Sequence, residues 1–565
     1  MELPDTGAKS SPLLGRAWLF LFCVLNQGID PVTTDDSTDS RSPWEPFRHS
    51  AFAILWTATV ISNIGTWMHE VASGWLMTSL SPSPLMVALV QAATSAPVFL
   101  FALAAGALAD LISRRKLLIT VTALLFLNTL VLAGLVLSER ATPAILLLFT
   151  FLNGAGAAFV APAWQAIVPQ LVPRPELQSA IALNGVGVNI SRAIGPAVAG
   201  AIIATIGIAW PYLVNAVSFL VVLAALFWWN PPAPPPSDLP AERFLNAMRA
   251  GLRYVHASAA MRATLVRAVA FFLFVSAFWA LLPLVARQEL QGGPQLYGLI
   301  LAAVGVGAVI GALFLPKLTK KFSADQLAAL GTLGTVLVLV VLALLKRTDA
   351  AIAASLLAGM CWITVLSRLN ISAQLALPDW VRARGLSIYI TIFFGAMMLG
   401  SILWGQVASK IGIPGAQLIA AAGATLATLL TWRFKLLQSD QLNHAPSGYW
   451  PQPVVASEVA LDRGPVMVTV QYDIAPSDTD AFIEAMLHLK ASRERHGAFA
   501  WGLFEDVAIP GRMLEYFIEE SWVAHMRHHQ RTSILDGQIQ QQALKYQRPG
   551  TTPVVTHLLA PDRSR

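Results

Sequence analysis

"GALADLISRRK", Gly106 to Lys116, joins two long apolar segments, and its reading decides the fold. Its first three residues recur as Gly311-Ala312-Leu313, 205 positions later. The same offset, without a gap, pairs Gly154 with Gly359, Pro173 with Pro378, Gly195 with Gly400 and Gly200 with Gly405. Glycine and proline mark special backbone or close packing, so their return at one spacing means a duplicated architecture.

The segments around these residues are built for lipid. Of the 565 residues 55% are apolar and 12% charged, about half the charge of an ordinary soluble chain. Apolar stretches at about 50–77, 84–110, 117–137, 143–169, 178–206 and 211–229 each reach the roughly 20 residues that a spanning helix needs. A second set runs at 264–286, 295–315, 326–345, 350–376, 384–409 and 414–434. Between the sets, residues 231–262 form a Pro-rich linker and a basic amphipathic helix. The expectation is an all-α membrane protein of about twelve spans in two six-helix halves, 47–230 and 263–436. Parallel repeats with substrate held at midplane are a transporter plan. A receptor or membrane enzyme has no need of that symmetry.

Charge sets the orientation. The net charge of +6 sits in short clusters between spans, the pattern of cytoplasmic loops and not of a nucleic-acid groove. Loops on the side of the termini carry Arg114, Arg115, Lys116, Arg174, Arg253, Lys320 and others, whereas the opposite loops hold only Arg140, Arg287, Lys346, Arg347 and Lys410. Both termini are therefore expected in the cytoplasm. Cys23 and Cys361 are too few for a disulfide framework or a multi-cysteine metal site. Residues 1–46 read as a disordered leader. Their apolar run "AWLFLFCVL" is too short to span, although it imitates the core of a signal peptide.

After a linker at 437–465 the composition turns soluble. "VMVTVQYDI" alternates like a strand, "SDTDAFIEAMLHLKASRERHG" is an amphipathic helix, and "AFAWGLFEDV" with "MLEYFIEESW" forms a hairpin around "AIPGR". A helical stretch, "SWVAHMRHHQRTSILDGQIQQQALKYQ", and a strand, "TPVVTHLLA", follow. This β-α-β-β-α-β order implies a ferredoxin-like α+β domain over 466–565. His525, His528 and His529 have helical spacing, but no Cys or HExxH pattern accompanies them, so a charged surface helix or a dimer contact is the preferred reading. No metal and no cofactor are expected.

The motifs carry a resemblance. The spacing G-x-L-x-D-x-x-x-R-R-K resembles the loop between the second and third helices in the major facilitator superfamily. Here Ser113 replaces the usual second glycine, Leu111 stands where Arg is common, and the repeat copy has lost its acid to Leu315. The resemblance implies that Gly106, Asp110, Arg114, Arg115 and Lys116 act as a conformational latch. In the fifth span Gly187, Gly195, Pro196 and Gly200 resemble the superfamily's exporter motif, and their bland reading is small-residue packing. "ISNIGTWM", "NISRAIGPAVAG" and the stretch from Glu515 to Arg531 are similar to the enterobactin-exporter-like (transmembrane secretion effector) group, over roughly 47–560. The tail also resembles dimeric α+β-barrel monooxygenase-type domains, without a residue set sufficient for catalysis.

Helical periodicity places Gly185, Asn189, Arg192 and Pro196 on one face, and Thr59, Asn63, Trp67, Glu70 and Gly74 on another. A charge such as Arg192 costs at least about 2.5–3.5 kcal/mol in mid-membrane unless it meets protein or water. It reads either as cavity lining or as the partner of an acid on another helix, and a structural ion pair is the plain alternative. Glu70 is the candidate acid, because the first and fifth helices are neighbours in the superfamily. A carboxyl group so placed can carry protons. With Asn370 these residues form the expected substrate and coupling set. Apolar walls with scattered polar groups and tryptophans suit an amphipathic organic molecule. The expectation is proton-driven export of a siderophore-like metabolite or drug, with bilayer, small molecule and protons as partners, no nucleic acid, and a homodimer contact through the tail. The alternative is a membrane-anchored sensor or enzyme whose tail senses or modifies cargo.

Overall fold

A computed structural model describes residues 42–230, 244–437, 459–460 and 462–561, without the side chains of 106, 107, 109–111, 244–250 and 379. The leader's apolar run lies outside the described residues. Contacts divide the chain into two compact units, 1–236 with 267–368 and 390–433, and 237–266 with 369–389 and 434–565.

In the first unit lie six helices of the N-terminal half: α1 (Ser50–Leu80), α2 (Pro84–Leu111), α3 (Arg114–Leu137), α4 (Pro143–Leu171), α5 (Leu177–Thr205) and α6 (Trp210–Trp228). After α7 (Phe244–Ala257) come α8 (Ala259–Leu284), α9 (Pro294–Thr319), α10 (Ala324–Leu344), α11 (Thr348–Leu375) and α12 (Asp379–Leu430). Among the described residues eleven helices are long and apolar enough to cross a membrane. The last contains 52 residues and leaves helical geometry at Gly412, with φ 82° and ψ 166°. At 1.5 Å per residue it is about 78 Å long, more than twice a bilayer core, so it supplies two spans. The twelve expected crossings are thereby accounted for.

Local chemistry sets the turns. Proline opens α2, α4 and α9, where its missing N–H costs nothing. Gly207, at φ 115°, closes α5 by donating its N–H to the Ile202 carbonyl, a left-handed cap that other residues resist.

The repeated glycines do equivalent work in both halves. A Cβ on Gly154 would lie 2.8 Å from the Thr94 carbonyl oxygen of α2, and one on Gly359 would meet Ala308 N of α9 at 2.6 Å. Gly195 backs onto Trp67 and Ile64 of α1, and Gly400 onto Leu273 and Ser276 of α8. Gly200 touches Pro294 and Gly298 of α9, whereas Gly405 touches Leu85 and Ala88 of α2. The first two pairs join helices within a half, and the third joins the halves. Between the end of α1 and the residues after α8, Arg287 Nη1 donates to Thr78 Oγ1 at 2.8 Å and to Ser79 Oγ at 2.5 Å. Its guanidinium also lies over Trp75.

In the second unit, β1 (Val466–Asp473), α13 (Thr479–His496), β2 (Ala500–Glu505), β3 (Arg512–Glu519), α14 (Trp522–Arg531), α15 (Ile534–Leu544) and β4 (Val554–Leu559) follow in order. The antiparallel sheet runs β2-β3-β1-β4, the ferredoxin-like arrangement. β1 alternates buried and half-buried side chains, as a one-faced sheet requires. The stretch expected as a single helix breaks at Thr532, because Ser533 and Asp536 form a capping box that starts α15 afresh. Asp536 also accepts from His496, Arg495 and Ser492 of α13. α7 packs along α13, Tyr254 of α7 donates to the Ala376 carbonyl at 3.4 Å, and Arg531 stacks over Trp380 at 4.4 Å. The α+β domain is thus fastened to the divider helix and to the turn between α11 and α12.

Its core contains a buried ion pair. Glu515 accepts Arg493 Nε at 3.0 Å, Tyr472 Oη at 3.0 Å and Trp501 Nε1 at 3.1 Å. Burial, reinforced by Glu515, pushes the Tyr472 phenol well above its usual pKa. Glu515→Ala takes the carboxylate from under a buried guanidinium and should destabilise the domain by about 3–5 kcal/mol. Fluorimetric unfolding of the full chain would register it as an early transition, and an unchanged profile would contradict the assignment.

Candidate functional site

The charged centre of the first unit is built from α1, α5 and α9. Glu70 is half-buried on α1 and Arg192 half-buried on α5. The Arg192 guanidinium sits over the Trp67 ring, 5.5 Å from its centroid. Such stacking is a favourable resting place for a cation out of bulk water. Each charge feels the other electrostatically, yet no ion pair within 4 Å joins them among the described contacts, and Arg192 Nε has no hydrogen-bond partner. Arg192 is therefore held near an acid without being saturated by it. Tyr297 of α9 is a third member, close enough for its phenol to feel Glu70 and stacked on Trp75. No motif marked it in the sequence.

Asn63 is half-buried on the Glu70 face of α1, and Asn189 half-buried one turn before Arg192. Asn189 donates back to the Gly185 carbonyl at 3.0 Å, and Gly185 faces open space. Asn370 is exposed on α11 and belongs to the second unit. His69, beside Glu70 in sequence, points elsewhere because neighbours on a helix diverge by about 100°. It is 1% exposed, stands edge-on to Tyr212 at 4.8 Å and lies 3.5 Å from Asn215, while Tyr212 Oη pairs with Ser73 Oγ. This polar knot between α1 and α6 was missed from sequence, although Asn215 is the one amide of its span.

The small residues of α5 serve two neighbours. Gly187, Ser191 and Gly195 face α1, where Ser191 Oγ donates to the Val60 carbonyl at 3.2 Å. Pro196 and Gly200 face α9, with Ala193 against Gly305. Gly200→Leu would force α5 from α9, at an overpacking cost of about 1–3 kcal/mol or more. A lowered thermal midpoint and lost transport are expected, whereas exposed Ala197→Leu should do neither; equal behaviour of the two would refute the close contact.

In the loop stretch, Arg115 donates to the Leu226 and Phe227 carbonyls at 2.9 and 2.8 Å, capping α6, and Arg114 reaches the Ala166 carbonyl at 3.3 Å. Lys116 is exposed. The side chains of Gly106 and Asp110 lie outside the described residues. In the second half Trp279, Trp362, Phe272 and Phe393 form an edge-to-face run at 5.3, 5.7 and 4.2 Å. Trp404 instead donates to the Leu273 carbonyl and packs as core.

Two glycine-knit six-helix halves with a charged centre define a transporter of the major facilitator type. A POT family transporter in complex with 5-aminolevulinic acid shares the fold at TM-score 0.56 and 13% identity, over 68% of this chain and 96% of that one. A bacterial homologue of the human lysosomal transporter Spinster does so at TM-score 0.50 and 17% identity, over 69% and 95%. The chain belongs to the transmembrane secretion effector family, whose model matches residues 41–565, and is a multi-pass membrane transporter. It is 24% identical to the staphyloferrin A transporter of Staphylococcus aureus over 68% of this chain and 97% of that protein. It is 29% identical to the enterobactin exporter EntS of Escherichia coli O1:K1 / APEC, over 57% and 76%.

Proposed function

We propose that the protein exports a small amphipathic, anionic metabolite of the siderophore class across the bacterial inner membrane, by proton antiport with alternating access. The observation that carries this reading is the unsaturated Arg192 guanidinium over Trp67, held in the field of Glu70. An anionic cargo completes the hydrogen bonding of Arg192, and Glu70, the acid in its field, is the group that takes up and gives up the exchanged proton. Trp279 and Phe393, the half-buried members of the aromatic run, offer apolar surface to an aromatic chelating group. The similarity to a staphyloferrin A transporter and to an enterobactin exporter supports the cargo class and, through the second, the direction. Both termini lie in the cytoplasm on the positive-inside argument, the Gly106–Lys116 loop acts as the latch, and the soluble domain offers its open sheet face, with Phe504 and Leu558 exposed, to a second copy.

Everted vesicles with an acidic lumen test the reading, with a labelled catecholate chelator as probe. Each pH unit supplies 1.36 kcal/mol per proton, hence about tenfold accumulation for one-proton exchange. Accumulation that ignores a protonophore would remove proton coupling.

A further inference from the structure

The soluble domain contains a histidine cluster that transport does not employ. We infer that His525, His529 and His557 form a binding site for a first-row divalent cation, with Zn²⁺ as its reference case and Glu519 as the outer partner of the first ligand. Helical spacing alone groups His525, His528 and His529, a trio in which a metal site can be imagined but which no accompanying motif supports. The fold re-sorts them. His528 turns into the core, where its Nδ1 meets Glu519 Oε1 at 2.6 Å and its ring stacks on His496. His525 and His529 instead meet His557, which β4 brings to the helix-covered face of the sheet opposite Val468. The ring centroids of His525 lie 4.6 Å from His529 and 4.9 Å from His557. One ligand nitrogen from each of the three lies within 4.8 Å of the others.

The orientation of His525 is that of a metal ligand. Its Nδ1 is 2.6 Å from Glu519 Oε2, so Nδ1–H donates to the carboxylate and the Nε2 lone pair is left facing the cluster. That is the carboxylate–histidine pairing that orients metal ligands. Nε2 of His525 and Nε2 of His529 stand only 3.1 Å apart, near the spacing of about 3.4 Å between nitrogens on a tetrahedral ion with 2.0–2.1 Å bonds. The His557 nitrogen, within 4.8 Å of the other two, would have to approach further to complete the set. His525 is fully buried and braced by Trp522, whereas His529 and His557 are half-exposed and give a cation its way in. Three imidazoles leave one position for water or an oxygen ligand, and imidazole donors suit Zn²⁺ and its first-row neighbours.

The test uses the full-length chain in detergent, without a histidine tag and stripped by chelator. Titration with Co²⁺ should give one equivalent per chain with the visible bands of a low-coordinate site, and Zn²⁺ should displace it. His529→Gln and His557→Gln should each abolish the bands and weaken Zn²⁺ binding at least as much as Glu519→Gln, for which about 10- to 100-fold is expected. His488→Gln, on the exposed face of α13, should change nothing. Because His529 and His557 are half-exposed, their variants should keep the wild-type thermal midpoint without metal, which separates ligand loss from misfolding. Absence of saturable binding, or wild-type affinity in both His529→Gln and His557→Gln, would overturn the site. Neither result bears on whether transport is proton-driven.

Discussion

Glu70→Gln is expected to abolish gradient-driven accumulation while cargo-for-cargo exchange continues. The substitution keeps the shape of the side chain and removes its titratable proton. A proton antiporter stores the gradient's energy only where a group alternates between charged and neutral forms during the cycle. Glu70 stands beside Arg192, so its charge is set against a fixed cation, and protonation alters what that cation can hold. Without titration, inside and outside concentrations are free to equalise through the rocking cycle. The accumulation ratio should fall from about tenfold per pH unit to about one. Counterflow of labelled against unlabelled cargo is the companion measurement, since it needs the cycle but not the proton. Gradient-driven accumulation retained in this variant would remove Glu70 from coupling.

The second large effect is expected at Arg192. Arg192→Leu deletes the cation proposed to receive the cargo's anionic group. Charge-assisted hydrogen bonds are worth about 1.5–3 kcal/mol each, so cargo affinity should drop by about 10- to 100-fold. Arg192→Lys keeps the charge but loses the planar stack on Trp67 and the forked donor set, and should fall between. The measurement is the ligand-induced rise in thermal midpoint of the purified protein, compared across the three side chains. Equal rises for wild type and Arg192→Leu would show that Arg192 is only a structural counter-charge.

Those two side chains were legible in the sequence because a charge surrounded by apolar residues is rare and expensive. The helical halves were legible for a related reason. Close helix contacts leave room only for glycine, so Gly195, Gly200 and their copies at Gly400 and Gly405 kept their spacing as the rest diverged. What escaped were contacts that depend on helix rotation. Nothing near Tyr297 announces that it faces Glu70 from α9, and adjacency to Glu70 misdirects the reading of His69, which turns towards Asn215. The soluble domain offers the sharper case. His528 belongs with His525 and His529 by spacing, yet the third imidazole is His557, delivered by a strand much later in the chain. Likewise the long helical stretch after Ser521 conceals its own interruption, because the Ser533–Asp536 box is visible only when its capping strength is weighed against continued periodicity.

The glycine contacts between the halves have one further consequence. Gly200 of α5 seats on α9, and Gly405, its counterpart, seats on α2, the counterpart of α9. Each half therefore offers the other the same pair of surfaces, which is the geometry of an isologous two-fold dimer written into a single polypeptide. In a true dimer every mutation appears twice, and a cation placed at the axis would face its own image. Fusion into one chain lifts that constraint, allowing Arg192 in one half to have Met397 as its counterpart in the other. The asymmetry at the centre is permitted by the symmetry around it.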